Sequence, residues 1–261
     1  MTEPQAQRTT DWRDFEAANA LTAETVHVWR LDLALEAPRL ERYRGLLDSA
    51  EQARAERYRV ERERDRFIVT RGALRRLIGF YSDNAPASIT LSQNLHGKPR
   101  LAAAPEGLRF NVSHSDRCAL VAIASDFDVG IDVERQRPLN DLSALAERFF
   151  SAEEFRSLAA LPIALKRRGF FATWTRKEAY IKGLGCGLGR PLDSFTVTVD
   201  PTAPPRILSD RDDPSEASCW HLEELFPGPD LSACLAVRAP TGRFRLRAFR
   251  YESVARQLDA D

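Results

Sequence analysis

The sequence predicts an α+β protein of two loosely similar halves, each with a long helix and an antiparallel sheet. Three observations carry this. A charged, helix-like segment, SAEQARAERYRVERERDRFIVTRGALRRLIGFY, runs from Ser49 to Tyr81. Three short apolar runs follow in quick succession, LRFNVSH, CALVAIA and VGIDVE, parted by the polar turns SDR and SDFD. A second helical block then precedes further strand-like runs. Strand, helix, strands, helices, strands is the order of an α+β chain, and the likeness of the halves suggests internal duplication. No repeat is visible in the sequence itself.

Taken in order, residues 1–24 are polar and read as a flexible arm. HVWRLDLAL, from His27, alternates as a strand. Ser49 is placed to cap the long helix, with acids and amides in its first turn. That segment turns apolar from Phe67, with Leu74, Leu77 and Ile78 on one face, and it divides readily into two helices. Its arginines outnumber its acids and make the one local basic excess. Gly97 and Pro99 mark a turn in LHGKPRL. The three apolar runs read as an antiparallel meander. A helix is expected over 142–161 and another from Arg167, closed by Gly183. SFTVTV, at 194–199, alternates as a strand. The Pro- and Asp-rich stretch that follows reads as a loop. CLAVRA and FRLRAFRY close the chain as strands. The expected divisions are 1–24, 25–125 and 126–261.

The totals narrow the function. At 261 residues the chain suits one large domain or two small ones, and an apolar fraction of 43% permits a true core. Basic and acidic residues number 38 each, so the formal charge is zero, which weighs against nucleic acid as partner. Cys118, Cys186, Cys219 and Cys234 form no CxxC pair and are expected as reduced thiols. The N-terminus lacks the basic-then-apolar order of a secretion signal. No apolar run approaches the roughly 20 residues that cross a bilayer. A soluble, cytoplasmic protein with no membrane partner is the expectation.

Chemistry concentrates in two stretches. In VGIDVE, Val129, Ile131 and Val133 share one strand face, while Gly130, Asp132 and Glu134 share the other. Carboxylates two apart on a strand, roughly 6.5–7 Å at the backbone, can converge on one hard cation. Gly130 leaves room beside them for a ligand or another backbone. A half-exposed acidic strand face is the plainer alternative. In WTRKEAYIKGLG, Glu178 and Lys182 stand at i and i+4 on a helix that also carries Trp174, Tyr180 and Ile181. They form either a surface ion pair or a third carboxylate and an ammonium facing Asp132 and Glu134. Three carboxylates suit Mg²⁺, and a lysine beside them suits phosphate, so the pattern points to a Mg²⁺–diphosphate site. His114, between Ser113 and Ser115, ends a strand near these acids. A Ser–His–Asp hydrolase would need a GxSxG elbow, which is absent. GLGCGLGR follows a helix, whereas a phosphate-cradling loop would precede one.

FNVSHS, GIDVE, FFSAEE and WTRKEAYIKGLGCGL, in this order and spacing, resemble the 4'-phosphopantetheinyl transferases. The resemblance is to the long surfactin-synthetase-activator type and spans about 49–199. It implies a pseudo-dimer of two α/β halves with the active site in the cleft between them. It implies Mg²⁺, coenzyme A as co-substrate, and transfer of the phosphopantetheine arm to a serine of an apo acyl or peptidyl carrier protein, releasing adenosine 3',5'-bisphosphate. Carried over by position, Asp132, Glu134 and Glu178 hold the metal, and Glu178 is also a candidate base. Lys182 meets the diphosphate. By the same resemblance His114, with Ser113 beside it, contacts a coenzyme A phosphate, Lys98 matches a position that helps bind the 3'-phosphate, and Arg54 and Arg71 lie where the family places basic residues for that same phosphate. Members of this length are monomers. The competing readings are a Mg²⁺-dependent phosphohydrolase of a diphosphate and a carrier-binding module without chemistry. The segment around Phe149, Phe150 and Phe155 is either a carrier-docking surface or a buried helix face.

Overall fold

A computed structural model describes residues 9–16, 20–34, 37–93, 99–101 and 107–258. The chain opens with β1 (Thr25–Asp32), α1 (Ala37–Gly45), α2 (Ser49–Glu56) and α3 (Glu61–Ser82). The strands β2 (Leu91–Gln93), β3 (Pro99–Leu101), β4 (Leu108–Ser115), β5 (Cys118–Ser125) and β6 (Val129–Arg135) follow. Then come α4 (Leu142–Phe149), α5 (Ala152–Ala160), α6 (Ile163–Leu184), β7 (Phe195–Val197), β8 (Ile207–Asp210) and α7 (Pro214–Ala217). The strands β9 (Trp220–Leu225), β10 (Leu231–Arg238) and β11 (Arg245–Arg250) lead into α8 (Tyr251–Leu258).

The fold is mixed α+β, with two principal sheets ordered β11-β1-β5-β4 and β6-β10-β9. Period-two alternation explains their stacking. Trp29 and Leu31 of β1, with Val121 and Ile123 of β5, turn toward α1 and α3 and form one core with Leu74, Leu77 and Ile78. The intervening residues, Val26, Val28, Leu120 and Ala122, meet Ile131, Val133, Leu235 and Val237 of the second sheet. Cys234 and Ala236, on that sheet's far face, meet Ala179, Tyr180 and Ile181 of α6. The layers therefore run helices, sheet, sheet, helix.

Several expectations change. The helical segment from 49 divides into two helices, as its pattern allowed, but its cap is Asp48 rather than Ser49. Glu51 N donates to Asp48 Oδ1 at 2.9 Å, and Asp48 N donates to Glu51 Oε2 at 3.1 Å, a reciprocal capping box. The span 142–161 is likewise two helices, the second capped by Ser151 with Glu154. α6 begins at Ile163, directly after Pro162, and ends at Gly185, which takes the left-handed conformation at φ 75°. The three apolar runs are no single meander: β4 and β5 pair, but β6 crosses to β10. The final two runs also part, β10 in the second sheet and β11 parallel to β1 in the first. Residues 207–217, read as loop, carry β8 and α7. The alternating WHLEEL, unassigned in the sequence reading, is β9. The described part of the N-terminal arm is packed: Arg13 bridges Phe249, and Phe15 is buried against Trp29 and Phe249. All four cysteines are free thiols. Among the described residues no helix is long and apolar enough to cross a membrane.

The two sheets meet along a seam between β4 and β6 that side chains bridge. Asn111, Ser113 and Ser115 share one face of β4. Asn111 Oδ1 accepts from Ile131 N at 2.8 Å, Ser113 Oγ donates to Asp132 Oδ1 at 2.8 Å, and Ser115 Oγ donates to Glu134 Oε2 at 3.0 Å. Above the seam lies α6. A Cβ on Gly130 would stand 2.0 Å from Ala179 O and 2.2 Å from Gly183 N. The room that Gly130 leaves is filled by another backbone.

Replacing Gly130 with alanine is expected to destabilise the protein by about 3 kcal/mol, because backbone rather than a flexible side chain must move. Chemical denaturation measures it. A variant as stable as the parent would mean that α6 does not rest on β6 at this point.

Candidate active site

A cavity of about 530 Å³ opens beside the seam, and its walls come from both sheets' helices. Asp132 and Glu134 reach it from β6, Ser113 and His114 from β4. α6 contributes Trp174, Glu178 and Lys182, one face at i, i+4 and i+8. α2 contributes Arg54. Phe67, Thr70, Arg71 and Leu74 form one face of α3. Seven of the eight described site residues expected from the sequence line it on charged or imidazole side chains, and Ser113 joins them. Lys98 lies outside the described residues, though its neighbour Pro99 lines the same cavity.

The acidic wall is tightly wired. Lys182 Nζ donates to Asp132 Oδ1 at 2.6 Å and to Ser113 Oγ at 3.0 Å. Asp132 is 3% exposed, and its Oδ2 has no hydrogen-bond partner among the described residues. Burial, then the Asp132 charge, push the Glu178 carboxyl up to about 7, against the pull of Lys182. Burial and Asp132 also raise Glu134, opposed by the Ser115 hydroxyl. His114 opens toward solvent; what burial its ring has, and the Lys182 ammonium, lower its pKa. Among the described residues no three His, Cys, Asp or Glu side chains already stand together as a metal shell. With its proton shared with Asp132, Ser113 is not arranged as a nucleophile on His114.

The opposite wall is cationic. The guanidiniums of Arg54 and Arg71 lie over the Phe67 ring, 5.1 and 5.7 Å from its centroid. Glu51 anchors Arg71 from behind, Nε to Oε1 at 3.4 Å, and also accepts from the buried Arg75 at 2.7 Å. The cavity thus sets carboxylates on one side and guanidiniums on the other, an arrangement for a ligand with several phosphates and a cation.

Lys177, next to Glu178, points away from the cavity and is fully buried. Its Nζ donates to Glu154 Oε1 and to Phe195 O, both at 2.6 Å. Burial pushes its pKa down to about 8, opposed by Glu154. Glu154 Oε1 also accepts from Val197 N at 2.7 Å. This pair fixes how α6 is rolled, and so where Glu178 and Lys182 point. The aromatic segment near α4 divides: Phe150 is buried, Phe149 packs edge-on against Trp174 with centroids 5.6 Å apart, and Phe155 borders a separate apolar groove. Tyr58 and Thr70 also line the cavity, and neither carried a signal in the sequence beyond its place in the helical segment.

Comparison with known proteins gives two matched family models: the 4'-phosphopantetheinyl transferase superfamily over residues 128–236, and the 4'-phosphopantetheinyl transferase N-terminal model over 37–127. The chain is 37% identical over 219 residues to the 4'-phosphopantetheinyl transferase HetI of Nostoc sp., covering 83% of this chain and 89% of that protein. It is 29% identical to the 4'-phosphopantetheinyl transferase psf-1 of Bacillus pumilus, covering 84% and 91%. It is 28% identical to the 4'-phosphopantetheinyl transferase Sfp of Bacillus subtilis, covering 79% and 89%.

Removing one partner of the buried pair leaves an uncompensated charge. Lys177→Met is therefore expected to cost about 3 kcal/mol or more in urea denaturation, and the double variant with Glu154→Gln to recover part of that loss. A single-variant cost below about 1 kcal/mol would contradict the pairing.

Proposed function

The chain belongs to the 4'-phosphopantetheinyl transferase superfamily, and from that premise we propose that it moves the 4'-phosphopantetheine arm of coenzyme A to a serine of an apo acyl or peptidyl carrier protein, releasing adenosine 3',5'-bisphosphate. The observation that carries the reading is the single cavity in which Asp132, Glu134, Glu178 and Lys182 face Arg54 and Arg71. The reading divides the chain into an N-terminal half, 25–125, and a C-terminal half, 126–261, in a pseudo-dimer with the site in the cleft between them. The junction of the two matched family models at 127/128 supports this division, with β11 and α8 returning to the first sheet. The enzyme is taken as a cytoplasmic monomer, since one chain supplies both walls of the cavity.

The residues fit Mg²⁺. Asp132 offers a buried oxygen that has no partner among the described residues, and burial, then the Asp132 charge, raise the Glu178 carboxyl to about 7, a cost that a hard cation relieves. Asp132, Glu134 and Glu178 would hold the ion, which when bound supplies charge neutralisation to the diphosphate. Lys182, 2.6 Å from Asp132 Oδ1, brings an ammonium to the same diphosphate and balances charge as the phosphate–oxygen bond breaks. Arg54, Arg71, His114, Lys98 and Ser113 serve the remaining phosphate and its surroundings. Glu178 is also the candidate acceptor of the carrier serine's proton, at whichever carboxylate oxygen the ion leaves open.

The test is intact-protein mass spectrometry of an apo carrier protein incubated with the enzyme, coenzyme A and Mg²⁺. The carrier is expected to gain one phosphopantetheine arm, and to gain none with EDTA. Release of adenosine bisphosphate without a carrier would favour the hydrolase instead. Asp132→Asn is expected to lower transfer by about 100-fold or more with an unchanged circular dichroism spectrum. Lys182→Ala is expected to lower kcat by about 100-fold while the carrier KM changes little. A fall in carrier affinity alone would contradict the role given to Lys182.

A further inference from the structure

The hairpin turn between β4 and β5 is built on an unusual residue. Ser115 pairs with Cys118, so Asp116 and Arg117 make the turn by themselves. Asp116 stands there at φ 53°, in the left-handed region that favours glycine. Glycine would form this turn with less strain, so what the aspartate adds is its carboxylate. That carboxylate joins two elements beside the cavity. Oδ1 accepts from Arg66 Nη2 of α3 at 2.9 Å, and Oδ2 lies 3.5 Å from Arg135 Nη1 at the end of β6. The Arg135 contact is between partly exposed side chains and adds little. Arg66 is largely buried and is held from its other side by Glu63, Nη1 to Oε1 at 2.7 Å. The charge-assisted bond to Arg66 therefore carries most of the hold. It fastens the turn to the helix that also bears Phe67, Thr70 and Arg71.

The residue before Asp116 uses the fixed turn. Ser115 Oγ donates to Glu134 Oε2 at 3.0 Å and accepts from Arg135 N at 3.0 Å. A hydroxyl has one proton, so it makes both bonds only when the end of β4 is set correctly against the end of β6. Glu134 lines the cavity, and its carboxylate takes its orientation from this hydroxyl. We propose that Asp116 is a positioning residue: gripped by Arg66, it sets the β4–β5 turn so that the Ser115 hydroxyl holds Glu134 in place for the metal ion. The inference rests on the metal assignment within the transferase reading given above. It adds a chain of contacts, α3 to turn to β6, that links the cationic wall of the cavity to the acidic one.

Mn²⁺ binding tests it, followed by the paramagnetic resonance of the free ion with coenzyme A present and no carrier protein. The variants are Asp116→Gly, Arg66→Gln, Ser115→Ala and the double variant of Asp116→Gly with Ser115→Ala. Asp116→Gly is expected to weaken Mn²⁺ binding about tenfold, as loss of a group that orients a metal ligand does. Its melting temperature is expected to stay close to the parent's, since glycine adopts positive φ without strain. Arg66→Gln is expected to weaken binding too, although it makes the site more negative. Tighter binding there would show that net charge rather than position governs the metal, and would overturn the proposal. The double variant is expected to bind no more weakly than Ser115→Ala alone, because the action of Asp116 passes through that hydroxyl. Losses that add in the double variant overturn the proposal, as does unchanged Mn²⁺ binding in Asp116→Gly, whatever its melting temperature. A parent protein that binds no Mn²⁺ overturns the metal assignment, and this inference with it. A parent that binds Mn²⁺ but modifies no carrier overturns the transferase reading and leaves this inference standing.

Discussion

At Gly130 the backbone of α6 lies against the backbone of β6, so close that even a methyl group would overlap Ala179 O and Gly183 N. The rest of the site depends on that contact. With Ala179 and Gly183 turned onto the strand, the neighbouring face of α6 carries Glu178 and Lys182 out over Asp132. Trp220 closes the other side of Gly183, where an added Cβ would lie 2.4 Å from its ring. The helix thus has little freedom to slide, and the Lys177–Glu154 pair limits its roll. Side chains at three successive turns of one helix, Trp174, Glu178 and Lys182, are aimed by two glycines and one buried ion pair.

What this rigidity holds together is an unfavourable set of charges. Asp132, Glu134 and Glu178 share a poorly hydrated wall, and the protein relieves them only in part. Lys182 neutralises one oxygen of Asp132, and among the described residues the other has no partner. Proton affinity is raised at Glu178 and Glu134 by burial and by their shared charge. The facing guanidiniums are likewise held by cation–π contact and by Glu51 rather than by the carboxylates across the cavity. A ligand bearing both phosphates and a cation completes both walls at once, which is the physical sense of placing opposite charges in one cavity without letting them meet.

Much of this was legible in the residues. Alternation put Asp132 and Glu134 on one strand face, and helical spacing put Glu178 and Lys182 on one helix face. Those periodicities are local, and tertiary packing preserved them. The glycine of VGIDVE signalled close approach, but nothing local distinguished a ligand from a helix. The strand pairing of β6 was not legible, because its partner β10 lies far along the chain and the polar turn before β6 suits a hairpin equally well. Asp48 and Ser49 are both competent caps, with Glu51 and Gln52 respectively three residues on, and the structure closes the capping box from Asp48 with Glu51. WHLEEL was readable in hindsight from Trp220, Leu222 and Leu225, all buried.

The central claim is that a divalent cation and the diphosphate of coenzyme A meet on the β6–α6 wall. Phosphorus relaxation of coenzyme A, with Mn²⁺ in place of Mg²⁺, measures this without relying on turnover. In the parent protein the diphosphate signals should relax much faster than the 3'-phosphate, and Asp132→Asn should abolish the difference. Equal relaxation of all three phosphates in the parent, or an unchanged pattern in Asp132→Asn, would contradict the account.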